Sequence, residues 1–488
     1  MKTIIKRRFD EGMVNDQRET RSGVCTLSKH FDILTRPHRL TPYRSHEDGS
    51  SGGDTDKITQ VIYYNAKAFG LGVVTGTSRV KVFEKSDLSN STWSATTNGA
   101  DAGGAREESV FVEYKGYGYG WAAGNRVWKA DLSGSAAFTG TERSISYTTV
   151  AQPLVHSKDD ILYMPYDNKI ARNNAGTWTD AALTLPTNVI ITSISEYGNF
   201  VAIGTRSANG TKSRVYLWNR DSSLTTLSES IDWGVGDLYV LEEIEGYLIG
   251  ISVVGNSTTA LTPKIVFRNY SGGSGSQVFK ELQASSAAVT LAFKQKVNNR
   301  LYFLLSITID GTLHQGVWMV SRSSPTQPFA VAFDRLPNND TALSSGVLKG
   351  FALIGDYMFI SYVTGGAYAM SKTDDQANYT ATSIYETTIN PDMDEADLTL
   401  KKQVVLASLS YVPLPANGQA VLKHKIDGGA FATVFTETTD SQITTEKKML
   451  ASGAAFPIGR EIVFRIESTG GAEITELKYQ YTTIKSLV

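Results

Sequence analysis

The sequence holds a single cysteine, Cys25, in 488 residues, so no intrachain disulfide can form and the fold must stand on packing. Charge of one sign is also lacking. The 47 Lys and Arg against 49 Asp and Glu leave a formal net charge of −2, which announces neither a nucleic-acid nor a membrane partner. No apolar run approaches the roughly 20 residues of a membrane-spanning helix. The opening Met1-Lys-Thr-Ile-Ile-Lys-Arg-Arg8 is basic without an apolar core, so a soluble protein made without an export signal is expected. Long stretches of 3.6-residue periodicity are almost absent, which excludes a helical fold. The six histidines, at 30, 38, 46, 156, 314 and 424, are scattered without HExxH spacing, and no CxxC pair or phosphate-binding glycine loop occurs. No metal, cofactor or catalytic residue is expected on these grounds, and Cys25 has no local histidine to activate it.

What is present is glycine (43 residues against 13 prolines) and aromatic side chains, 23 of them tyrosine, a composition suited to short strands and tight turns. The organising stretch is 196–221. Phe200-Val-Ala-Ile-Gly-Thr205 and Arg214-Val-Tyr-Leu-Trp218 flank Asn209-Gly210, the signature of a hairpin with a buried face. One hairpin is marginal in water and needs copies to pack on. Matching pairs of runs begin at Phe69 and Arg79, Tyr119 and Arg126, Ile161 and Lys169, Tyr247 and Lys264, Leu301 and Gly316, and Tyr357 and Ala367. From Phe69 to Tyr357 is 288 residues over six intervals, or 48 per repeat, within the roughly 40–50 residues of a four-stranded propeller blade. The expectation is an all-β fold with a seven-bladed β-propeller at 55–390, since radial closure removes open sheet edges. The irregular region 69–135, with Gly99-Ala-Asp-Ala-Gly-Gly-Ala105, leaves six or eight blades open.

Residues 1–54 read as an N-terminal arm, charged through Lys6-Arg7-Arg8, Asp10-Glu11 and Arg18-Glu19, that orders on a neighbouring subunit. Within it, Leu27–Ser45 is the candidate for the strand that closes the last blade, and Asp48–Asp56 is a flexible linker by composition. After Pro391 the charged run Asp392-Met-Asp-Glu-Ala-Asp397 marks a boundary; as a calcium loop it lacks the interior glycine and closing glutamate. Strong alternation from Leu398, with Asp427-Gly428 as a turn, makes 391–488 a C-terminal β-sandwich. Ser86–Trp93, Asn173–Trp178, Asn219–Thr226 and Ser371–Tyr379 resemble degenerate Asp-boxes, in which an Asx side chain caps its own turn.

The run Lys29-His-Phe-Asp-Ile33, followed by Pro37 and Arg39-Leu-Thr-Pro-Tyr-Arg44, resembles the start of propeller-bearing structural proteins of tailed bacteriophages. The resemblance covers the first fifty residues and, loosely, the propeller-plus-sandwich layout. It implies a non-enzymatic virion component of the tail, neck or nozzle, made in the host cytoplasm and assembled as a symmetric homo-oligomeric ring. Portal, adaptor or tail proteins would be its partners, and DNA would pass without specific binding. The subunit interface would draw on Arg7, Arg8, Phe9, Phe31, Arg36, Arg39 and Arg44. Two alternatives stand beside it. One is a carbohydrate-binding or host-attachment protein using Trp121, Trp178 or Trp233. The other is a propeller glycoside hydrolase using axis carboxylates among Glu107, Glu108, Asp159, Asp160, Glu196, Glu242, Glu243 and Asp356. Gly116-Tyr-Gly-Tyr-Gly-Trp121 reads as blade packing before sugar stacking.

Overall fold

The structure is a computed structural model. It describes residues 2–484 except 11, 14–23, 50–57, 75–78, 96–110, 123, 134–137, 209–211, 222–226, 228, 256–262, 274, 286–289, 310, 336–346, 365–366, 375–378, 380–381, 389–400 and 449–457. The described residues contain strands and no α-helix. The Asn209-Gly210 turn, Gly99–Ala105, Glu107, Glu108 and the charged run 392–397 lie outside them.

The chain divides into two compact units, one of residues 47–316 and 341–373, the other of 1–46, 317–340 and 374–488. The first unit is a series of open antiparallel meanders. Sheet 1 runs Ile58–Tyr64, Lys67–Val74, Arg79–Lys85, Ser94–Ala95, and sheet 2 runs Phe111–Tyr114, Tyr117–Ala122, Arg126–Asp131, Phe138–Ser144. Sheet 3 follows with Leu154–His156, Ile161–Tyr166, Lys169–Asn174, Thr177–Thr184, and sheet 4 with Val189–Tyr197, Phe200–Ser207, Lys212–Trp218, Glu229–Val235. Sheet 5 is Asp237–Ile244, Tyr247–Val254, Lys264–Tyr270, Gln277–Gln283. Sheet 6 opens in the same order with Thr290–Val297, Arg300–Ile309 and Thr312–Ser321, the last crossing the unit boundary at Gly316. Sheet 7 is Val347–Ile354, Tyr357–Thr364 and Ala367–Thr373, completed by His46–Asp48. The pairs of runs read from the sequence are the second and third strands of these sheets. The closing strand is His46–Asp48, where Leu27–Ser45 was expected; Leu27–Lys29 instead pairs with Ser383–Thr388 and with Ala330–Arg335.

Each sheet buries both faces, because successive side chains of a strand point to opposite sides. Val201 and Ile203 pack toward Tyr163 and Ile170 of sheet 3, while Ala202 between them packs toward Leu238 and Leu241 of sheet 5. The same kind of seam joins sheet 1 to 2 through Phe69, Leu71, Phe111 and Trp128, and sheet 2 to 3 through Tyr119, Trp121, Leu162 and Met164. Phe267 meets Phe303 between sheets 5 and 6. The ends of the series also meet: Ile58, Val61, Phe83 and Trp93 of sheet 1 share a core with Ile354, Phe359 and Met370 of sheet 7. Gly120 shows how tight this packing is, since a Cβ there would lie 2.6 Å from the Trp128 ring.

Turn chemistry follows the sequence. First and second strands are joined by two-residue turns such as Lys115-Gly116 (φ 52° and 81°) and Glu245-Gly246 (51° and 82°), the left-handed pair that suits strand twist. At the ends of third strands, Asp87, Asp131, Asn173 and Asn219 accept hydrogen bonds from the amides of Ser89, Ser133, Gly176 and Asp221, at 2.9, 2.8, 2.7 and 3.1 Å. Those at Asp87, Asn173 and Asn219 fall in expected Asx turns, the one at Asp131 was not expected, and the expected turn Ser371–Tyr379 lies partly outside the described residues. Trp93 closes one of them by donating its Nε1 hydrogen to Gly49 O at 2.9 Å.

Among its described residues the second unit contains two larger sheets, besides the short pairs Gly12–Met13 with Val24–Cys25 and Phe31–Asp32 with Thr41–Pro42. One orders Lys2–Lys6, Ile474–Ile484, Lys401–Tyr411 and Thr444–Lys448, with Ile458–Gly459 beside Lys401–Tyr411. The other includes Ala330–Arg335, Leu27–Lys29, Ser383–Thr388, Ile462–Thr469, Gln419–Ile426 and Ala432–Glu437. Phe464 of one sheet and Tyr479 of the other stand 5.2 Å apart in the buried layer.

Candidate functional site

The inner strands of sheets 1, 2, 6 and 7, with Gln152 ahead of sheet 3, enclose a cavity of about 390 Å³. Its lining includes Gln60, Tyr63, Phe111, Gln152, Lys294, Gln295 and Phe351. What aims these side chains is a repeated irregularity. The first strands of sheets 1, 4, 5, 6 and 7 each carry a register shift near their start, between Ile58 and Gln60, Ile191 and Ser193, Leu238 and Val240, Ala292 and Lys294, and Leu348 and Gly350. A bulge bends its strand and re-aims the residue that follows.

Two of those residues, and the neighbour of a third, work across sheet boundaries. Gln60 uses its amide as a spare peptide unit: its Oε1 accepts from Phe111 N at 2.8 Å and its Nε2 donates to Phe111 O at 3.4 Å. Ser193 Oγ accepts from Leu241 N at 3.2 Å and donates to Leu241 O at 3.4 Å. Gln295, the residue after Lys294, repeats the Gln60 pattern on Leu353, at 2.7 and 2.9 Å. Neighbouring inner strands therefore exchange side-chain hydrogen bonds where no ladder joins them, which satisfies buried backbone groups.

Lys294 has an 8% exposed side chain and is held by three acceptors: Glu242 Oε2 at 2.7 Å, Ile194 O at 2.6 Å and Leu241 O at 2.5 Å. Glu242 in turn accepts from Ser195 Oγ at 3.0 Å. An ammonium has three protons, so this cation is saturated by sheets 4 and 5. Gln152 reaches over to donate to Lys294 O at 3.1 Å.

A second polar cluster sits between sheets 3 and 4. Arg220 donates to Asp159 Oδ2 at 2.7 Å and contacts His156 Nδ1 at 3.1 Å. Tyr163 OH donates to the same carboxylate oxygen at 3.1 Å. Burial, then the Asp159 charge, pushes the Tyr163 phenol far up, and burial pulls the His156 pKa down. Glu196 takes a 2.7 Å hydrogen bond from Ser157 Oγ beside it. Elsewhere, Asp237 is 7% exposed and burial raises its carboxyl pKa, opposed by Arg206.

The sequence candidates distribute as follows. Glu242 is bound to Lys294, while Glu243 pairs with Lys296 at 2.5 Å. Asp237 and Glu242 lie five residues apart on one strand, roughly 16 Å, beyond the roughly 5–10 Å of a hydrolytic carboxylate pair. Among the described residues no carboxylate lines the cavity. Trp121 and Trp233 are buried and offer no free stacking face, while the half-buried Trp178 stands edge to face with Tyr119 at 6.3 Å. Among the described residues no group of three or more His, Cys, Asp or Glu is placed to hold a metal ion.

The expected interface residues are engaged within their own unit. Arg7 bonds Glu476 at 2.6 Å, Arg8 bonds Asp10 at 3.0 Å, and Arg36 and Arg39 both meet Glu473, at 3.6 and 2.7 Å. Phe9 and Phe31 are 0% exposed, Phe9 standing edge-on to Tyr385, and Arg44 is half-buried. Lys2–Lys6 is a paired strand against Ile474–Ile484.

No family model matches the chain, and no curated protein does. Solved structures similar to it include an exo-β-1,3-galactanase from Phanerochaete chrysosporium with galactose, 10% identical, covering 89% of this chain and 100% of its own, at a TM-score of 0.31. Another is described as a glycoside hydrolase, 9% identical, covering 89% of this chain and 100% of its own, at 0.28. A bifunctional GH43-CE protein of Bacteroides eggerthii is 9% identical at 0.28; the match covers 91% of this chain and 64% of that one. TM-scores this low assign neither substrate nor residue roles. The non-enzymatic virion component of a phage tail, neck or nozzle implied by the resemblance has no counterpart among these structures, which are described as carbohydrate-active enzymes. The physical ground for it has gone as well, because the segment expected to wait for a neighbouring subunit already spends its strand and its Phe9 inside its own chain.

Proposed function

We propose that residues 47–373 supply a closed seven-bladed β-propeller, with a β-sandwich in the second unit, and that the propeller is carbohydrate-active, taking a saccharide in its axial cavity. The observation that carries the reading is the cavity of about 390 Å³ among the inner strands, which combines amide, aromatic and lysine side chains. Sugars present hydroxyls to amides and C–H faces to rings, and a pocket with a few polar groups set in an apolar wall suits them. Tyr63, 52% exposed at that wall, is the stacking platform that the buried tryptophans are not. Seven consecutive sheets, the first and last of which share one core, support the count of seven blades.

Calorimetric titration of the full chain against neutral and acidic oligosaccharides tests the binding, with aryl glycosides assayed in parallel for turnover. A saccharide should bind, and Tyr63→Ala should weaken it about tenfold, the loss of one stacked ring. Binding that is indifferent to Tyr63→Ala, or no binding across the panel, removes the axial site. Turnover that disappears in Glu242→Gln would place hydrolysis at the same axis.

A further inference from the structure

Sheet 3 departs from its neighbours at one place. Its first and second strands are joined by four residues, Ser157 to Asp160, where sheets 1, 2, 4, 5, 6 and 7 use two. The longer turn carries Lys158, Asp159 and Asp160, and it stands over His156, whose side chain is 0% exposed.

Two donors converge on one ring nitrogen of that histidine. The Lys158 amide points at Nδ1 at 3.3 Å, and Arg220 lies 3.1 Å from the same atom. A guanidinium cannot accept a hydrogen bond, so Nδ1 carries the lone pair and the ring is the neutral Nε2–H tautomer. Nε2 is buried without a partner. Asp159 Oδ1 is likewise buried without a hydrogen bond, 3.4 Å from Nδ1. Oδ1 can gain a donor there only if a proton is placed on Nδ1, and a proton there is incompatible with Arg220. Arg220 itself holds a left-handed backbone, φ 71°, at the exit of the third strand of sheet 4. A non-glycine residue keeps that conformation when its contacts compensate for it.

We propose that His156, Asp159 and Arg220 form an acid-operated latch between sheets 3 and 4: closed by Arg220 on neutral His156, and opened when His156 takes a proton, turns to Asp159 Oδ1 and expels Arg220. The proton comes from solvent and adds to Nδ1, while Nε2 keeps its own. The groups facing the ring are Lys158 and Asp159 from its own turn, Tyr163 from the next strand of sheet 3, and Glu196 and Arg220 from sheet 4. Burial is the largest influence and favours the neutral ring, as do Arg220 and Lys158; Glu196 and Asp159 oppose them. The folded chain therefore binds this proton at lower pH than the unfolded chain does. Its stabilising effect is complete above about pH 6.5 and declines as pH falls below that value.

Long-range nitrogen–proton NMR of the full chain tests the latch. At pH 8 His156 should show the Nε2–H tautomer, with a midpoint below about 6.5. Arg220→Gln keeps a donor but removes the cation, and should raise that midpoint by roughly one unit. An Nδ1–H tautomer at pH 8, or a midpoint unmoved by Arg220→Gln, overturns the proposal. Unfolding midpoints between pH 8 and 5 give a second reading: the wild type should lose stability on acidification, and His156→Gln should lose less. If His156→Gln does not fold, the wild-type spectra and Arg220→Gln decide the matter alone.

Discussion

Two seams of the series of sheets are built on different chemistry. Where sheet 7 meets sheet 1, the join is mainly apolar: Ile58, Val61, Phe83, Trp93, Ile354, Phe359 and Met370 in one cluster, with Trp93 and Phe359 edge to face at 5.9 Å and the buried Lys85 ammonium over both rings at 4.9 and 5.8 Å. Where sheet 3 meets sheet 4, a comparable apolar layer around Tyr163, Ile191 and Trp218 is capped by His156, Asp159, Arg220 and Glu196. The first seam joins the two ends of the series, which the chain ties together through His46–Asp48, the strand of sheet 7 that precedes Ile58 of sheet 1 in sequence. Apolar burial itself does not titrate, so such a seam does not open with a change of pH. The second joins consecutive sheets, already tethered by sequence, and can carry a group whose charge changes.

The difference can be broken at several strengths. Trp93→Ala should act most strongly, removing a 5% exposed ring and its hydrogen bond to Gly49, at a cost of about 3–5 kcal/mol in chemical denaturation. That loss should be the same at pH 5 and pH 8; a strong pH dependence would mean that the closing seam is not the dry join described. Gln60→Leu comes next. It leaves the amide and carbonyl of Phe111 without their partner at the boundary of sheets 1 and 2, for about 1–3 kcal/mol by the same measurement, and a neutral result would show that water replaces the clamp. Ser157→Ala should cost least, below about 1 kcal/mol, because the bond to Glu196 that it removes is solvent-exposed. A larger loss would extend the pH-sensitive seam outward to Glu196.

Much of the architecture was legible in the chain. The runs beginning at Phe69, Tyr119, Ile161, Phe200, Tyr247, Leu301 and Tyr357 stand out because second strands are buried on both faces, as Val201, Ala202 and Ile203 show by packing alternately on two neighbours. The Asx turns were legible for a similar reason, since Asp87 or Asn173 bonds an amide two or three residues away. First strands were not. Leu154–His156 has three residues and Phe111–Tyr114 four, and their inward side chains answer to the axis more than to hydrophobic periodicity. The closing strand was misplaced because His46-Glu-Asp48 is short and polar, with Glu47 serving as the partner of buried Lys372. Glu242 was named as an axis carboxylate, but nothing local marks Lys294, 52 residues away, as its counter-ion.

By itself the sequence determined strand content, the repeat of two adjacent runs and the chemistry of the tight turns, because each is fixed by contacts within a few residues, where side-chain alternation and backbone preference act directly. Tertiary structure alone decided which ends of the series meet, which bulges turn Gln60, Ser193 and Lys294 across sheet boundaries, and which histidine faces an arginine 64 residues away. Those outcomes depend on how far the inner strands stand apart once every sheet is packed, a distance set by all the seams together and encoded at no single position.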